Sequence, residues 1–167
     1  YNCQSLESIN LPSARIVKVR MALGEALTNL LSAPVDDLGS VKLCANWMAA
    51  CGEKGQDASL YEAVQDLAMN LCPQLGLSIP VGKDSLSMRT SWDESGEKRS
   101  VISPVSLVLT AVAPVTDVRQ AWTPGLRSDC GDTVLILVDL ASGRQRMGGS
   151  TLAQVLNDFG GEAPHLD

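Results

Sequence analysis

Histidine is almost absent from this chain: His165 is the only one in 167 residues, and none of the five cysteines, Cys3, Cys44, Cys51, Cys72 and Cys130, stands in a CxxC pair. A structural zinc site needs about four closely spaced sulfur or nitrogen ligands, so the sequence offers none. A thiol nucleophile would have to find its base in His165, on an expected loop near the end of the sequence, and no spacing identifies such a pair. Cys44 and Cys72 lie within apolar segments and read as small buried hydrophobes. Basic residues are also in short supply. With 13 Lys and Arg against 19 Asp and Glu, the net charge is -6 and the pI about 4.7. That sign is wrong for general attraction to nucleic acid or to an anionic membrane, so any anionic ligand must be held by a local site. No apolar run approaches the ~20 residues of a membrane span, no signal-peptide pattern is present, and no repeat or low-complexity tract occurs. Scattered thiols in odd number suit a reducing compartment, and the expected location is cytoplasmic.

What is present is enough apolar material, 45% of residues, for the core of one domain or of one domain and part of another. The first ten residues carry no period and read as a loop. From Ser13 to about Ala33, apolar residues recur at Ile16, Val19, Leu23, Leu27, Leu30 and Leu31, a helical spacing closed by Pro34. Residues 41–48 alternate Val41, Leu43, Ala45 and Trp47 with Lys42, Cys44, Asn46 and Met48, which predicts a strand with one inward face. Ser59 and Glu62 have capping-box spacing and predict the start of a helix running to Leu71, with Leu60, Val64, Leu67 and Leu71 as its inward stripe. Cys72-Pro73 and Gly76 should stop it. Two extended segments, 77–90 and 101–115, flank the polar stretch SWDESGEKRS and predict a hairpin. Residues 118–130 have the composition of a linker. The run TVLILVDL, 133–140, has the character of a strand buried on both faces, followed by a short helix capped by Ser150. One strand and one helix cannot bury a core by themselves, so the expectation is a second, truncated unit over 131–167 in a fragment of a longer polypeptide.

Two clusters carry candidate chemistry. Glu25 and Asn29 lie one turn apart on the first helix, beside Ala22 and Ala26, whose small side chains let another group come close. A carboxylate with an amide oxygen is a hard-oxygen set suited to Mg²⁺, although polar pairs at this spacing are also common on solvated helix faces. In PVGKDSLSM, 80–88, Gly82 permits close backbone approach, Lys83 is a compact phosphate-binding charge, Asp84 can hold a metal or a hydroxyl, and Ser85 can donate to a phosphate oxygen. This is not a Walker A loop, since GxxxxGK[ST] is absent and the segment continues as a strand; an edge strand with solvated polar residues is the plainer reading. RMGGSTLAQ, 146–154, places glycines at a helix start, where an anion can bind but where glycines more often serve the fold. Asn46 and Trp47 could line a pocket or be core neighbours.

Taken in order, GEALTNL, VKLCANWMAA, DASLYEAV, LGLSIPVGKDSLSM, SPVSLVLTAVAPVTD, TPGL and RMGGSTLAQV resemble the large phosphoribosylformylglycinamidine synthases of purine biosynthesis, over about residues 20–167. The resemblance implies an ATP-dependent, glutamine-using amidotransferase that converts formylglycinamide ribonucleotide to formylglycinamidine ribonucleotide. It implies an α+β fold, an α/β sandwich with a mixed or antiparallel sheet, like the amino domain of aminoimidazole ribonucleotide synthetase. Residues 1–117 would form most of that amino domain in the second of two repeats, 118–130 a linker, and 131–167 the opening of the carboxyl domain. Its partners would be the first repeat, whose strands complete a barrel, and a glutaminase domain that supplies ammonia. Glu25 and Asn29 match the family's Mg²⁺ ligands, and Gly82, Lys83, Asp84 and Ser85 fall on a strand that approaches ATP or ADP and substrate. The large enzymes carry Lys where the small synthases carry Asn at the Lys83 position. The isolated fragment is expected to be inactive. A non-catalytic nucleotide-binding or assembly module of the same superfamily is the alternative; GKDSLSM argues against the aminoimidazole ribonucleotide and selenophosphate enzymes themselves.

Overall fold

A computed structural model describes residues 13–141, 143–158 and 160–164; the expectation for the first ten residues, Cys3 and His165 lie outside them. The architecture is a mixed α+β arrangement with helices on one face of a three-stranded sheet. Helix α1, Ser13–Leu30, buries Val19, Leu23 and Ala26 at spacings of four and three, which keeps a single stripe against the sheet. Strand β1, Lys42–Met48, lies at the centre of the sheet. As the alternation predicts, Val41, Leu43 and Ala45 are buried and Trp47 packs against the core, while Lys42, Cys44, Asn46 and Met48 take the other face.

Helix α2 spans Gln56–Gln65, starting four residues earlier than the capping box predicts. Gly55 is its N-cap, at φ +80, and Ser59 lies inside the first turns, buried, with its hydroxyl donating to the Gly55 carbonyl. A hydroxyl bonded back to the preceding turn cannot cap, and a glycine that adopts the left-handed conformation freely starts the helix instead. The helix then widens into a π-helical turn, Asp66–Leu71, and ends in one last turn, α3, Cys72–Gln74. Pro73 therefore does not end it immediately: at the second position of a new turn, its missing N–H costs no helical bond. Leu67, Ala63 and Cys72 face the core.

The predicted hairpin is divided in two. Its distal halves, β3 (Arg89–Glu94) and β4 (Glu97–Ile102), pair antiparallel about a two-residue turn at Ser95 and Gly96, both at positive φ. Its proximal halves, β2 (Ser78–Ser85) and β5 (Ser106–Val112), do not pair with each other. β1 comes between them, parallel to β2 and antiparallel to β5, giving the order β2-β1-β5. The inward residues of β1 are the most completely buried of the sheet, and the central place gives them a neighbouring strand on each side. Pro80 falls in the bulge where two β1 residues, Lys42 and Cys44, meet Ser78 and Val81, so its missing N–H breaks no ladder bond.

The run 133–140 does not form the expected doubly buried strand. Leu137 is 91% exposed, its neighbours are similarly open, and no strand of the described residues lies beside it. A parallel-type strand needs ladder partners and cover on both faces. Beyond it, α4, Thr151–Val155, starts as predicted, with Ser150 accepting from the Ala153 N–H at 3.1 Å.

Candidate functional site

Because Val19, Leu23 and Ala26 define the buried stripe of α1, Glu25 and Asn29 emerge on the outer side, both exposed, and neither side chain has a hydrogen-bonding partner among the described residues. The only polar side chain between them, Thr28, turns its hydroxyl back to the Gly24 and Glu25 carbonyls at 2.9 and 3.1 Å. One carboxylate and one amide oxygen, one turn apart and uncommitted, fit a cation that takes one or two protein ligands and keeps water or phosphate for the rest of its shell. No cluster of three or more His, Cys, Asp or Glu able to hold a metal occurs among the described residues.

The second cluster lies elsewhere on the sheet. α1 packs against β5, whereas Gly82, Lys83, Asp84 and Ser85 are on the opposite edge strand, two strand spacings or roughly 10 Å across the sheet. The two predicted groups are not in contact. Register divides the loop further. Lys83 and Ser85 pair with Asn46 and Met48 and share the uncovered face, while Asp84 pairs with Trp47 on the helix-covered side. The Lys83 ammonium donates to Ser85 Oγ at 2.9 Å and to the Asp84 carbonyl at 3.3 Å and meets no carboxylate among the described residues, so its charge is free to attract an anion. A Cβ at Gly82 would meet nothing within 4 Å, which leaves the strand open to close approach. Beside Lys83 on β1, Asn46 Oδ1 is buried with no hydrogen-bond partner. The same face carries Val81, Val108 and Val112, each more than half exposed.

Sequence reasoning missed two long-range ion pairs. Arg89 Nη1 reaches Glu53 Oε1 at 2.6 Å across a pocket of about 430 Å³ lined by Ala50, Cys51, Leu86 and Ser87. Partial desolvation there, followed by the Asp57 carboxylate, pushes the Cys51 thiol above its usual range. Arg20 clamps Asp66 through two parallel bonds of 2.9 and 2.8 Å. The guanidinium hydrogen bonds hold the Asp66 carboxyl below its ordinary range against the opposing effect of burial, with Asn70 assisting. With the partners 36 and 46 positions apart, no local spacing signals either pair.

The glycines of RMGGS serve the fold. A Cβ on Gly148 would lie 2.4 Å from the Gly161 carbonyl oxygen, and the Gly148 N–H donates to the Glu162 carbonyl. Ser150 already caps the five-residue α4, which leaves little of the predicted anion site.

The model of the FGAR-AT PurM_N-like domain family matches residues 8–114, well over half of the chain. The chain belongs to this family. The matched region contains α1, the whole three-stranded sheet and the β3–β4 ribbon, and therefore both candidate clusters. It is a synthetase-like module of the purine-biosynthetic family, with the mixed α+β architecture that the sequence pattern predicts. Among the described residues, no helix is long and apolar enough to cross a membrane.

Proposed function

We propose that this chain is part of a phosphoribosylformylglycinamidine synthase and that its contribution is to hold a magnesium-bound nucleotide. The observation that carries the reading is the uncommitted Glu25 and Asn29 pair on the outer side of α1, within the region matched by the family. Glu25 and Asn29 would be protein ligands to the Mg²⁺ of ATP or ADP, and Lys83 with Ser85 would meet phosphate or the ribonucleotide substrate. A bound Mg²⁺ would supply positive charge for phosphate groups that a chain of net charge -6 does not attract by itself. In the parent enzyme, ATP would drive amidation of formylglycinamide ribonucleotide by ammonia released from glutamine in a separate glutaminase domain.

The partner surface follows from the sheet. Its uncovered face exposes Val81, Val108 and Val112, and its outer edges on β2 and β5 carry no further strand among the described residues. This supports pairing with the first synthetase repeat of the same polypeptide, which would close the strands into a barrel. The same surface also supports the second reading, an assembly module that holds nucleotide without turning it over.

Glu25→Gln and Asn29→Ala in the full-length protein test the proposal by calorimetric titration with MgADP and by glutamine-dependent ATP hydrolysis. Each variant should weaken MgADP binding at least fivefold. Loss of binding with hydrolysis intact would favour the assembly reading; unchanged affinity in both variants would remove the metal role.

A further inference from the structure

We infer that the Arg20–Asp66 pair is a positioning clamp that sets α1 so that Glu25 and Asn29 face a common ligand; the inference rests on the magnesium-nucleotide reading of that helix. Asp66 is 5% exposed, and its carboxylate accepts Arg20 Nε at Oδ2 and Nη2 at Oδ1, at 2.9 and 2.8 Å, with Asn70 Nδ2 on Oδ1 at 3.4 Å. Two parallel bonds from a planar fork fix both the height and the roll of the helix that carries it. At roughly 100° per residue, Glu25 lies about 140° and Asn29 about 180° around α1 from Arg20, so the clamp grips the back of the helix while the oxygen pair occupies its front.

The rest of the α1 contact leaves room for such a device. Val19, Leu23, Leu27 and Leu30 hold α1 to the core, but beside Glu25 the contact thins: Ala26 has no atom beyond Cβ, and Ala22 and Gly24 are equally small. Small side chains give a helix few knobs against sliding or turning. Asp66 is held at the start of the π-helical turn Asp66–Leu71, whose wider winding brings Asn70 back over the same carboxylate. Stability alone does not call for this arrangement. The Asp66 side chain is 6% exposed and loses most of its hydration while Arg20, at 35%, keeps part of its own, and apolar side chains of similar volume commonly hold a fold about as well as such a pair. What an apolar pair lacks is the single bonded geometry.

The test compares three variants of the full-length protein, each followed by MgADP titration calorimetry and by thermal melting. In the double variant Arg20→Met with Asp66→Leu, the clamp becomes an apolar contact: the melting temperature should be kept or raised while MgADP affinity falls at least fivefold. Arg20→Lys keeps the charge but removes the fork, so it should stay folded and lose about threefold, which covers failure of the double variant to fold. Glu25→Gln tests the parent reading. If Glu25→Gln weakens MgADP but both clamp variants bind within twofold of wild type, the clamp alone is overturned. If Glu25→Gln binds normally, and Asn29→Ala in the companion titration does too, the magnesium-nucleotide reading falls, and the clamp falls with it.

Discussion

Replacing Asn46 by Val should stabilise this chain, an unusual direction for a change at the centre of a sheet. Asn46 is on the middle strand, between Lys83 of β2 and Val108 of β5, and its Oδ1 is buried without a hydrogen-bond partner. An acceptor buried unpaired costs about 1–3 kcal/mol, whichever way the amide is turned, and Val adds a few tenths through its fit to a pleated, half-buried position. The expected gain is about 1–2 kcal/mol, or roughly 2–8 °C in Tm for a chain of this size. Urea denaturation of the 167-residue chain, followed by circular dichroism at constant m, measures it. The full-length protein provides the contrast: if a second sheet covers this face and donates to Asn46, the same substitution there leaves a donor unpaired and should destabilise by about 1 kcal/mol or more. A loss of stability of more than about 1 kcal/mol in the 167-residue chain would refute the argument, because it would mean that Asn46 is satisfied within the chain.

Other substitutions probe the remaining layers. Leu67→Ala empties a fully buried site between the helices and the sheet and should cost about 2–5 kcal/mol in the same urea assay. Gly96→Ala places a side chain at φ +84 in the β3–β4 turn and should cost about 1 kcal/mol, read as faster amide exchange confined to Arg89–Ile102. Asp66 titrates below its ordinary range because of Arg20, so its stabilising contribution is complete above about pH 4 and is lost as pH falls through the lowered value; Asp66→Asn should flatten that acid limb of stability. Ser150→Ala removes the α4 cap and should cost about 1 kcal/mol locally, seen as increased exchange of the Ala153 amide.

The features that could be read in advance are those governed by short periods. The alternation of Val41, Leu43, Ala45 and Trp47 identified β1 and its inward face because a period of two states which side is buried. The stripe of Val19 and Leu23 identified α1 and left Glu25 and Asn29 outside it for the same reason. Period does not reveal neighbours. The insertion of β1 between β2 and β5 depends on which strand has both faces occupied, and local pattern in segments 77–90 and 101–115 is equally compatible with a simple hairpin. Ser59 and Glu62 have the spacing of a cap, yet Gly55 wins because it takes the left-handed conformation without strain. The Arg20–Asp66 clamp and the buried Asn46 oxygen are tertiary facts with no local signature. At 133–140 the apolar composition correctly marks a segment that needs cover, but composition does not provide the cover.

The place of β1 in the sheet also sets an order of events in time. Its antiparallel ladder runs from Met48 with Ser106 to Lys42 with Val112, so its closure waits for a segment that leaves the ribosome some sixty residues or more after β1 itself. Until then, a strand with Leu43 and Ala45 on one side has β2 as its sole ladder partner, after the intervening helix has been made. Contacts this distant along the chain close slowly. During synthesis, the nascent chain must therefore pass through a stage in which the strand that ends up most buried is held at one edge only, and a chaperone that recognises short apolar β segments would find Val41–Ala45 accessible in that interval.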